Sequence, residues 1–261
     1  MMKTITKTLV KTFMFFTVIT LLTSCEKDES MEQFTDLNTE SKEIKFDFDQ
    51  FGKTHNAYLE YVWNFEERAN PEARFKYGKT FVDPTFGSFD TNLTWQELDK
   101  SIGFHKRRVD QILNGKYNAN EEGLSPAMTK FLNNLATTVK SAADKKLTVG
   151  EFAKKISEIE KEVYASQKIN IDLERGVSND GASMLAISSI LKYSVQYWTA
   201  FDSDGDNGDD TPMARRGIWR ALADAWGYVS AWTDNGDGSY SWDHDSALVN
   251  ADCVSDKVRE N

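Results

Sequence analysis

Five carboxylates crowd one short stretch of the chain, Asp202, Asp204, Asp206, Asp209 and Asp210 in FDSDGDNGDD at residues 201–210. Acids spaced at two, with glycines that permit tight turns, let a loop wrap oxygens around a hard cation, and calcium is the expected ion. A second acidic turn, Asp234-Asn235-Gly236-Asp237, follows the next helical pattern. That pattern is about 21 residues long, so the two acidic segments would lie roughly 30 Å apart and could not share an ion. The second is read as a tight glycine turn.

The first stretch resembles the D-x-D-x-D opening of an EF-hand or of a thrombospondin-type repeat. It departs from the EF-hand at Asn207, where glycine makes the sharp turn, and at Met213, where a bidentate glutamate belongs. A plainer role is available too. Acids ahead of Pro212 suit the positive end of a helix that starts there, and Arg215, Arg216 and Arg220 could neutralise them without metal.

Residue sets for catalysis are weak. Of the three histidines, His55 and His105 fall in helical patterns, where a hydrogen-bonded buried ring is the ordinary state. Asp243-His244-Asp245 could ligate a metal but has no nearby histidine or cysteine except the distant Cys253 to complete a zinc set. Ser189-Ile-Leu-Lys192 matches S-x-x-K, yet so does Ser24 to Lys27. Gly-Lys-Thr at 52–54 and 78–80 lacks the upstream glycine of a P-loop, having Asp47 and Ala73 there. No enzymatic activity is expected.

Five of the seven tryptophans lie between Trp198 and Trp242. Exposed rings beside acids could stack on sugars, which makes Trp198 and Trp242 candidate ligand contacts and the region 193–244 a possible glycan- or peptide-binding surface. At helical spacing such rings more often fill a core.

The amino-terminal end carries the sharpest pattern. Lys3, Lys7 and Lys11 precede an apolar run from Phe13 to Leu22. A run of roughly ten residues is too short for a bilayer span, which needs about 20. It meets Leu22-Thr23-Ser24-Cys25, a lipobox: small residues admit a peptidase, and the Cys25 thiol takes a diacylglycerol. Several acyl chains, palmitate among them, at about 0.8 kcal/mol per buried methylene, would make a lasting membrane anchor. The expected division is a signal peptide at 1–24, an acylated Cys25 with a flexible acidic tether at 25–46, and one domain at 47–261. Losing the leader's three lysines makes a chain of net charge −10 more acidic still. That charge repels nucleic acid, and none is expected as a partner. With Cys25 consumed by lipid, Cys253 has no disulfide partner and reads as a small core residue.

The elements that must position these residues read as helices. Phe51, His55, Tyr58, Val62 and Phe65 form one stripe, ended by Asn70-Pro71. Residues 71–93 read as a loop or weak hairpin. Thr94-Trp-Gln-Glu97 and Thr148-Val-Gly-Glu151 are capping boxes, and Ser125-Pro126 is an N-cap with proline at N1. Residues 181–201 and 212–232 are apolar on more than one face, as central helices are. Strand signals are nearly absent, so the expected fold class is all-α, a single bundle of about six helices.

Three short motifs resemble those of small Bacteroidota surface lipoproteins of unknown function: Gly52-Lys-Thr-His55-Asn56-Ala-Tyr-Leu59, Tyr197-Trp198, and Ala223-Asp224-Ala225-Trp226-Gly227. Glu26-Lys27-Asp28-Glu29 behind the acylated cysteine resembles their export signal. The resemblance implies a helical domain on the outer membrane facing the medium. It implies no activity.

Overall fold

Helices start in this chain where side chains take up the orphan N–H groups of a first turn. The computed structural model describes residues 46–88, 91, 93–202, 211–213, 215–229, 232–237 and 239–259. Helix α1, Asp49–Trp63, opens with Asp47 accepting from the Asp49 N–H at 3.0 Å. Helix α2, Pro71–Gly78, has Asn70 accepting from the Glu72 and Ala73 N–H groups and proline in its first turn. Helix α3, Trp95–Leu113, and α5, Val149–Ser166, carry the Thr94/Glu97 and Thr148/Glu151 capping boxes in full. Helix α4, Pro126–Lys145, is capped by Ser125.

The centre is built from the last third of the chain. Helix α6, Asp180–Asp202, is buried on every side from Gly181 to Leu191. Helix α7, Arg215–Val229, packs on α6 and, more extensively, on α8, His244–Arg259. Ile218, Leu222, Ala225 and Trp226 on α7 and Leu248, Val249 and Val254 on α8 are all buried where the two helices pack together. Each large side chain sealed there contributes about 1.5–3 kcal/mol. From Asp47 on, the chain packs as one unit.

The fold is mostly helical but not all-α. Among the described residues there are eight α-helices and a 3-10 turn at Ala119–Glu122, not a bundle of about six helices. Strands β1, Val82–Asp83, and β2, Gly87–Ser88, pair as a small hairpin. Strands β3, Ile171–Asp172, β4, Val177–Asn179, β5, Trp232–Asp234, and β6, Ser239–Trp242, form an antiparallel sheet in the order β3-β4-β6-β5. Two physical causes account for the difference. The strands are two to four residues long, too short to display alternation. The helical stripe expected to reach Trp232 stops at Val229, and Trp232 instead pairs across a hairpin with Trp242. Between β5 and β6 the chain bends at Gly236 and Asp237, with Gly236 at φ 77°.

Candidate functional site

The three motif segments converge on one carboxylate. Gly52 lets α1 approach α6 so closely that its N–H donates to Ser189 Oγ at 2.9 Å, and an added Cβ would stand 2.6 Å from the Ser189 carbonyl. One turn on, Asn56 Nδ2 donates to the Tyr193 carbonyl at 2.9 Å. This docking brings His55 Nε2 to 3.7 Å from Asp224 Oδ1. The other oxygen, Oδ2, accepts from Trp198 Nε1 at 2.6 Å and from the Ser194 hydroxyl. Gly227 then lets α7 meet α8, since a Cβ there would lie 2.7 Å from Ala251 Cα.

Ser194, His55 and Asp224 are the residue types of a nucleophilic triad, but their order is wrong for one. The serine gives its proton to the carboxylate, and the histidine addresses the carboxylate's other oxygen. In a working triad the imidazole stands between serine and acid. All three side chains are fully buried, so a substrate has no approach. What the arrangement does is tie α1, α6 and α7 together inside an apolar core: Asp224 Oδ2 takes two hydrogen bonds, while Oδ1 and His55 Nε2 face each other at 3.7 Å, beyond hydrogen-bond reach.

A second buried network adjoins it. Arg74 of α2 is fully buried and pairs through Nε with Asp252 Oδ2 at 2.7 Å and through Nη2 with Asp256 at 3.0 Å, both on α8. Trp63 Nε1 donates to Asp252 Oδ1 at 2.9 Å, and the Arg74 guanidinium lies 4.6 Å from the Trp63 ring centre. Burial opposes the charge on Arg74; Asp252 and Asp256 more than offset it and hold its pKa above the ordinary arginine value. Trp63 meets Trp198 edge to face at 5.8 Å, and Arg220 stacks on the other ring system. Trp63 and Trp198 thus join the two networks.

His244 is turned inward rather than toward a metal. Its ring stacks on Phe86 at 4.0 Å, its Nδ1 lies 2.6 Å from Tyr228 Oη, and Phe51 and Trp242 stand edge-on to it. Burial pushes its pKa down to about 3, with His55 adding to that and Asp83 opposing it. His105, on α3, is pushed down to about 4 by burial and by Arg108. Among the described residues no group of three acids, histidines or cysteines could hold a metal ion.

The remaining sequence candidates fall as follows. Trp198 is fully buried and Trp242 is 8% exposed, which corrects their reading as ligand contacts: neither offers a face to solvent. Cys25, Asp204, Asp206, Asp209 and Asp210 lie outside the described residues. Asp202 sits 3.9 Å from Arg220 Nη1. Ser189 and Lys192 serve separate contacts, the serine to Gly52 and the lysine to Asp49 at 2.7 Å. Cys253 is a buried free thiol whose pKa burial raises well above its usual value. Arg74, Trp63 and Asp252 were not legible as a set, because residues so far apart in sequence give no spacing signal. Set against protein-family models, curated proteins and solved structures, the chain matches none of them.

Proposed function

We propose that the chain is a lipid-anchored outer-membrane protein facing the medium, with a binding or structural role and no catalytic activity. The observation that carries this reading is the position of Cys25 behind a basic leader and a short apolar run. Two features accord with it. No helix among the described residues is long and apolar enough to cross a membrane, so attachment would fall to the lipid. The Ser194, His55 and Asp224 set, which resembles a catalytic triad in residue types, is fully buried in the core. The resemblance of its short motifs, and of Glu26-Lys27-Asp28-Glu29, to those of small Bacteroidota surface lipoproteins supports the outward orientation.

Replacing Cys25 with serine and fractionating cells tests the anchor. The parent is expected to label with palmitate and to pellet with envelopes, and the variant to do neither. A variant that still pellets as completely as the parent overturns the reading. Calcium enters only through Asp202 and the four carboxylates behind it. Calorimetric titration of the full chain with calcium chloride decides that point: heat at millimolar calcium supports a site, and silence removes it.

A further inference from the structure

The outer face of α4 lines a groove that neither buried network uses. Two depressions of about 350 and 480 Å³ adjoin along it and share Asn133. One wall is the helix itself, presenting Thr129, Lys130, Asn133, Thr137, Lys140 and Ser141 at successive helical turns. The other side is Ile112, Gly115 and Tyr117 in one depression and Asn120 and Leu124 in the other. The helix has 20 residues, so the groove runs for roughly 30 Å. Its length fits several sugar rings laid end to end.

The charge of this wall runs against that of the chain. Lys130, Lys140 and Lys145 face a single acid, Asp144, in a protein of net charge −10. Only Lys140 is engaged, with Asp144 at 2.6 Å; Lys130 and Lys145 have no carboxylate partner among the described residues. Between the lysines stand side chains that both donate and accept. The Ala119 N–H holds Asn133 Oδ1 at 3.0 Å, which leaves the Asn133 NH2 to the groove. Thr137 Oγ1 gives its proton to the Asn133 carbonyl at 2.8 Å and keeps its lone pairs.

We infer that this groove binds a short acidic oligosaccharide, one whose carboxylates meet the lysines and whose hydroxyls meet the amide and hydroxyl side chains. An extended peptide fits less well: helical walls offer no strand edge for backbone pairing. Nucleic acid fits less well again. Tyr117 is the single aromatic residue in the lining and is engaged edge to face with Trp226, so successive bases have no row of rings to stack on. The inference goes beyond the proposed anchor and does not depend on it.

The test is calorimetry on the full chain in detergent at neutral pH, with galacturonate hexamer as probe and maltohexaose and a glutamate hexapeptide as comparisons. The acidic sugar is expected to bind one to one, weakening at least fivefold from about 20 to about 300 mM salt. Both comparisons are expected to be at least tenfold weaker. Lys130→Glu and Thr137→Glu, at exposed positions, should each lower affinity at least fivefold, with the circular dichroism spectrum unchanged. No heat with the galacturonate hexamer overturns the inference. So does equal binding of the glutamate peptide, which would reduce the site to charge, or full affinity in both variants, which would place binding elsewhere. Cys25→Ser should leave the affinity unchanged, so failure of the anchor and failure of the groove are read separately.

Discussion

His55 Nε2 stands 3.7 Å from one oxygen of Asp224, while Trp198 Nε1 and the Ser194 hydroxyl share the other. One carboxylate therefore joins the first helix of the fold to the sixth and seventh, at a point where His55, Ser194, Trp198 and Asp224 are all fully buried. A lone carboxylate at zero exposure would be costly to bury; three polar neighbours make it tolerable.

Removing that acceptor should be severe. Asp224→Ala leaves the Trp198 N–H and the Ser194 hydroxyl buried without an acceptor, and a loss of about 3–5 kcal/mol is expected. Asp224→Asn keeps one oxygen acceptor and should lose less. Urea unfolding checks the order. Equal midpoints for the two variants would show that the carboxylate is not what holds the three helices.

Two glycines mark helix crossings and one does not. A Cβ at Gly227 would meet Ala251 backbone atoms at 2.7 and 2.8 Å, and one at Gly52 would meet the Ser189 carbonyl at 2.6 Å. Backbone cannot step aside cheaply, so Gly52→Ala and Gly227→Ala are each expected to cost about 1–3 kcal/mol or more. Gly103 lies within α3, and the nearest atom to its added Cβ is an Arg107 nitrogen at 4.0 Å. Gly103→Ala should therefore stabilise, by about 0.5–1 kcal/mol, through the helix propensity gained. Thermal melts of the three variants test both signs.

These contrasts show which parts of the fold could be read from residues in order. Caps were legible because they are local: Thr94 with Glu97, Ser125 with Pro126 and Thr148 with Glu151 each state a helix start within four positions. Helix α8 was hidden. Asp252 and Asp256 make its sequence look like a solvated charged tail, and their burial depends on partners far away in sequence, Arg74 on α2 and Trp63 on α1. The sheet was hidden by brevity, although Ser239-Tyr240-Ser241-Trp242 does alternate behind a glycine turn and is half-buried and buried in step. At the centre, the motif residues His55, Trp198 and Asp224 were visible as motifs. Their meeting at one carboxylate was not, because a helix crossing leaves no mark in spacing.

The Arg74 pairing predicts an asymmetry between breaking it and replacing it. Arg74→Met strands two acids in the core beside α8 and is expected to cost about 3–5 kcal/mol. Adding Asp252→Leu and Asp256→Leu should recover much of that, since an apolar set of similar volume needs no desolvated charge. A triple variant no more stable than Arg74→Met alone would assign Arg74 a packing role independent of its charge. Denaturant midpoints at constant slope provide the comparison.

His244 gives the fold an acid-sensitive point. Its folded pKa is near 3, against about 6.5 in an unfolded chain, so the unfolded state binds the extra proton between those values. The stability that depends on a neutral His244 is fully present above pH about 6.5. It falls as pH drops toward 3, by up to about 1.4 kcal/mol per pH unit for this one group. His105, held near 4, adds a slope of the same sign over a narrower window. Other groups titrate in this range too, and comparison of variants separates them. His244→Phe preserves an aromatic ring against Phe86 and Trp242 but cannot take the proton, so its melting temperature should fall less than the parent's between pH 6.5 and 4. Parallel curves for parent and variant would mean that His244 takes up its proton without disturbing the ring stack, and the acid response would then belong to other groups.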